Sequence, residues 1–134
     1  MSNSIKNTLV VIISILAGGL FVFLAESLIH QWYPLPTNVD PDDMKSIKQY
    51  MPNAPVGSLA LMVLTHAIAA FISGWLIAKF AKSNVQFLAL ITGMIWTLVG
   101  VTNIVMIPHP IWFSIADTCI YLPMTILGTK ALKF

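Results

Sequence analysis

Seven side chains in this sequence are of types that could hold a proton, an ion or a polar solute within apolar surroundings: Glu26, His30, His66, Asn103, His109, Asp117 and Tyr121. Glu26 and His30 are four apart, as are Asp117 and Tyr121, so on a helix each pair shares a face. His66 stands as the one titratable group deep inside the apolar run 57–79, GSLALMVLTHAIAAFISGWLIAK. Carboxylates and imidazoles in such a setting are costly unless they pair or face a wet cavity. Glu26, His66 and Asp117 together would also suit a divalent transition metal. No H-x-x-E-H or H-E-x-x-H run is present, so such ligands would have to come from separate helices. The sequence assigns no cofactor. A structural reading stays open beside these. Glu26 with His66, or His66 with Asp117, would then be hydrogen-bonded pairs that set helix register.

The surroundings follow from composition. Of 134 residues, 57% are hydrophobic and 9% charged, against about 25% charged in an ordinary soluble domain. So few charges cannot wet a whole surface, and the chain is expected to use lipid as part of its solvent. Its length suits one domain, residues 1–134. All seven basic residues are lysines. The absence of arginine argues against a bidentate clamp on phosphate or carboxylate, and no clustered basic patch points to nucleic acid. The single cysteine, Cys119, excludes paired-thiol redox chemistry.

Four apolar segments are expected to span a bilayer, at about 8–29, 57–78, 85–107 and 111–128, each near the roughly 20 residues a spanning helix needs. They should all be helical, because a backbone in hydrocarbon must satisfy its own hydrogen bonds. The first run is too long for a typical signal h-region and is read as a retained span. The expected fold is all-α, a four-helix antiparallel transmembrane bundle. Lys6, Lys79, Lys82, Lys130 and Lys133 fall on the side of the chain ends, while the long connection 30–56 holds Lys45 and Lys48 beside Asp40, Asp42 and Asp43. The lysine bias puts both ends in the cytoplasm and the long connection outside. Within that connection Asp40 can N-cap a short amphipathic helix, with Pro41 at its first position and Asp43 as a capping-box acid. Met44, Ile47 and Met51 would share a face, lying on the membrane surface or packed on the bundle. Pro123 falls inside the fourth span and is expected to kink it. Small residues at helical spacing, Ala69, Ala70, Ser73 and Gly74 above all, would let helices approach closely.

At about 1.5 Å per residue, His66 lies roughly 13 Å and Asp117 roughly 9 Å below the outer ends of their spans. Glu26, His30, Asn103 and His109 fall nearer that end. The titratable side chains therefore gather in the outer half, and the inner half holds almost none before the lysines. A bundle could bring Glu26, His66, Asn103 and Asp117 to one level.

The patterns E-S-x-x-H-x-x-Y-P-x-P at 26–36 and N-x-x-x-I-P-H-P-x-W-F at 103–113 resemble a widespread set of small bacterial four-helix membrane proteins. The resemblance runs over nearly the whole chain and brings no activity with it. It singles out Glu26, His30, Tyr33, Pro34, Asn103, Pro108, His109 and Pro110. Small multidrug resistance transporters differ, with a deeper first-helix glutamate and a short first loop. Four-span glutathione-metabolising enzymes rely on arginines that this chain lacks.

The leading expectation is a small protein of the bacterial inner membrane with an outward-facing polar site that binds or passes a cation, a proton or a small solute. Its partners would be the lipid bilayer and further copies of itself. The alternative is an accessory subunit of a larger membrane complex. An enzyme acting on lipid or quinone with His66 as base ranks last, because no nucleophile is paired with a base at recognisable spacing.

Overall fold

The computed structural model describes residues 1–133. Among these the chain is helical with no strand, and four of its helices are long and apolar enough to cross a membrane. The spans are α1 (Asn3–Trp32), α3 (Val56–Phe80), α4 (Val85–Met106) and α5 (Ile111–Lys130), and a short α2 (Met44–Tyr50) lies in the long connection. The chain is a multi-pass helical membrane protein, as the composition requires. α1 runs several residues beyond its expected span at both ends, and α3 only one or two. At 30 residues α1 is about 45 Å long, so it outreaches a hydrocarbon core of about 30 Å.

α3 is the hub, with broad faces against α5 and α1, and α4 packs on α5. α1 and α4 scarcely touch. The close approaches are made by the small residues. A Cβ on Gly74 would collide with the Thr125 carbonyl, and one on Gly128 with the Phe71 carbonyl. α3 and α5 thus cross backbone to backbone, where dispersion rather than water exclusion holds membrane helices together. α1 is tied to α3 by Ser73, whose hydroxyl donates to the Ser14 carbonyl at 2.9 Å, and Gly18 lies over the same serine.

At the end of the bundle carrying the chain ends, Asn7 staples α1 to the α3–α4 turn. Its amide donates to Ser83 and its oxygen accepts from the Lys82 N–H at 2.9 Å. Asn84 takes the left-handed conformation there, at φ 55°, and starts α4. α5 runs unbroken through Pro123, which sits on its exposed side.

The connection departs from expectation in its cap. α2 is capped by Asp43, whose carboxylate accepts from the Lys45 N–H at 3.0 Å, and not by Asp40. Asp40 instead closes a turn on the Asp42 N–H, while its own N–H donates to Ser46 Oγ. Aspartates offer the backbone such local alternatives, and the turn wins where three of them follow within four residues. α2 itself buries no residue, but its C-terminal end is packed. Tyr50 and Met51 bear on a cluster of Ala54, Leu59 and Phe113.

Candidate functional site

A cavity of about 470 Å³ occupies the bundle half nearest the long connection. α1 supplies Val22, Glu26 and His30 to its wall, one helix face at spacing four. α4 supplies Trp96, Val99, Gly100 and Asn103. Met62 and His66 of α3 and Tyr121 of α5 complete the interior, and His109 enters from the α4–α5 turn. Leu35, Pro41, Ile47 and Met51 from the connection roof it. Six of the seven expected residues line this one space. The seventh, Asp117, lies directly behind it with no exposed surface. All three histidines of the chain are therefore wall residues.

The centre is a buried triangle. His66 Nδ1 is 2.6 Å from Asp117 Oδ1, and the Tyr121 hydroxyl donates to Asp117 Oδ2 at 2.9 Å. A carboxylate only accepts, so Nδ1 carries the proton and both Asp117 oxygens are satisfied. The other ring nitrogen, Nε2, turns toward the cavity, where Glu26 Oε1 stands 3.5 Å away. Asp117 is wholly buried, whereas the Glu26 side chain keeps 31% of its surface. One carboxylate fixes the imidazole, and the other meets whatever enters. Tyr121 is stacked between His66 and Trp96, with ring centres 5.7 and 6.2 Å away.

Below this triangle the bundle closes. The Trp96 indole donates to Ser73 Oγ at 3.0 Å, and Ser73 donates onward to α1. Gly18 and Gly100 make room for the rings. A Cβ on Gly18 would crowd Trp96, and one on Gly100 would crowd Tyr121.

His109 is held differently. Its Nδ1 lies 2.6 Å from the Ile107 carbonyl, and its ring stacks on Phe113 at 4.6 Å. Because a carbonyl cannot donate, Nδ1 bears the proton and Nε2 is a bare acceptor. That Nε2 is buried and has no partner. Burial holds the His109 imidazole below its ordinary pKa, outweighing the Ile107 carbonyl and the Asp117 charge, which favour the protonated ring.

Glu26, His66 and Asp117 do not converge on one point. The carboxylates stand on opposite nitrogens of the ring. Among the described residues no group of three or more His, Cys, Asp or Glu is set as ligands around a single ion. No serine, threonine or cysteine is among the cavity-lining residues, and Cys119 is exposed on the bundle surface.

Three contributors were not legible as site residues in the sequence: Trp96, Gly100 and Ser73. Trp96, Gly100 and Asn103 follow at spacings of four and three, the signature of one helix face, which extends the face of Asn103 inward. Ser73 carries no such signal, since its role depends on two other helices. The fold and site define a multi-pass helical bundle with a polar cavity in one half. Comparison with known protein families, with curated proteins and with solved structures finds no match.

Proposed function

We propose that this protein uses the cavity to bind or pass a cation, a proton or a small polar solute, from the outer side of a bacterial inner membrane. The observation that carries this is the pair of carboxylates flanking both nitrogens of His66, one sealed and one facing the cavity. With both ionised, the site remains net negative whether or not His66 is charged, and no lysine is among the lining residues. A pair serving only helix register would need no second carboxylate facing open space. The orientation rests on the lysine bias, five at the end opposite the cavity (Lys6, Lys79, Lys82, Lys130 and Lys133) against Lys45 and Lys48 in the connection, since lysines favour the cytoplasmic side. A chain this short would work as a homo-oligomer.

Native mass spectrometry of the protein drawn gently from its own membranes tests the reading. We expect the chain, alone or as a homo-oligomer, to carry a stoichiometric small ligand or ion that Glu26→Gln loses. A bare homo-oligomer would leave the proton, and then liposomes must show a pH-driven flux that His66→Asn abolishes. A ligand-free chain found only within a larger assembly would overturn the proposal and make it a subunit.

A further inference from the structure

The cavity's shape and chemistry go beyond a generic cation. Its charged lining is the Glu26 carboxylate, with Asp117 setting a second carboxylate behind His66 and no lysine in the wall. Apart from Asn103, Tyr121 and the three histidines, its remaining walls are apolar, and Leu35, Pro41, Ile47 and Met51 of the connection line the end toward water. Beside the cavity runs the gap between α1 and α4, the two helices that scarcely touch. Val22 and Val99 border that gap, and Val99 is 54% exposed on the lipid-facing surface. The helices meet again lower down, where Gly18 faces Trp96. The route is thus a cleft facing hydrocarbon, floored at mid-bundle.

We infer that the ligand is an amphiphilic primary ammonium, its head at the Glu26 carboxylate and its alkyl tail leaving through the α1–α4 cleft. An ammonium offers three donors and a positive charge, which matches a wall that holds a carboxylate and no lysine. A small inorganic ion would have no use for an apolar exit, and an anionic amphiphile would meet two carboxylates. The volume lies within the range of small-ligand sites, about 300–1,000 Å³, and holds the head and first methylenes with the rest in lipid. This rests on the proposed binding role. The ammonium could be a free alkylamine or the head of an aminophospholipid.

The three histidines make ¹⁵N-histidine NMR in lipid bilayers the test. In phosphatidylcholine bilayers, n-octylammonium should shift the His66 and His109 Nε2 resonances saturably. n-Octanol and n-octanoate should leave them unmoved. Glu26→Gln should weaken the ammonium by roughly tenfold or more, the worth of one charged hydrogen bond. Val99→Trp, at an exposed position that the fold tolerates, should weaken n-octylammonium and leave methylammonium unaffected. If phosphatidylethanolamine bilayers produce the shift unaided and n-octylammonium competes, the ammonium is a lipid head. If sodium or zinc shifts the resonances and no ammonium does, the ligand class is wrong while the binding role survives. If no titrant moves them, the ammonium inference is overturned. A Val99→Trp protein that binds both amines normally would overturn entry through the cleft.

Discussion

His109 shows how a single side chain is set by its neighbours. Its Nδ1–H is committed to the Ile107 carbonyl, its ring lies on Phe113, and its Nε2 is enclosed. The folded protein therefore prefers the neutral ring, and burial lowers its pKa. The unfolded chain takes up this proton as pH falls through about 6.5, the ordinary histidine value, while the folded chain resists. The unfolded state then binds more protons, so folding stability must fall with decreasing pH in that window. We expect His109→Gln to flatten that part of the acid loss and to leave stability at pH 8 little changed. Denaturant unfolding in mixed micelles across pH 5–8 reads this directly. A wild-type slope in the variant would place the acid sensitivity elsewhere. Asp117 illustrates a different case, a buried carboxyl with both oxygens partnered, by His66 Nδ1 and by the Tyr121 hydroxyl. Removing either donor leaves a buried acceptor short of a partner, which costs far more than the bond itself contributes.

At the scale of elements, α3 and α5 carry the bundle. Gly74 and Gly128 let each helix lay its backbone on the other. Gly74→Ala must push α5 away from α3, and overpacking of this kind costs about 1–3 kcal/mol. Gly19→Ala is the control, because a Cβ there meets nothing within 4 Å. It should be neutral or slightly stabilising, since alanine is the better helix former by about 1 kcal/mol. Equal losses in the two variants would show that glycine's role here is not close packing. α2 contributes to the cavity. Its Ile47 face closes the roof that Leu35 and Pro41 begin.

At the scale of the whole molecule the asymmetry between the two ends is the main feature. One end is pinned by Asn7 to the α3–α4 turn and carries Lys79, Lys82 and Lys130. The other holds the connection and the cavity. Under the proposed orientation, a cysteine replacing Asn38 should react with a membrane-impermeant maleimide in intact cells. One replacing Lys82 should react only after permeabilisation. Both residues are exposed, and Cys119→Ser removes the native thiol. The reverse pattern would turn the cavity to the cytoplasm.

The sequence by itself determined what is local. Four long apolar runs could only be helices across a bilayer, because the backbone there has no other partner. The fixed rise per residue set the depth of His66 and Asp117, and spacing four put Glu26 with His30 and Asp117 with Tyr121. It also put a capped helix in the long connection. It did not choose between two aspartate caps: the Asp40 carboxylate is taken up by a turn with the Asp42 N–H, and Asp43 accepts from the Lys45 N–H instead. The tertiary structure alone decided how each helix is rotated about its own axis. Spans that are apolar nearly all round carry no polar face to declare which side turns inward. Which nitrogen of His66 meets which carboxylate, why Ser73 joins three helices, and the gap between α1 and α4 all follow from that rotation. So does the enclosure of the His109 ring.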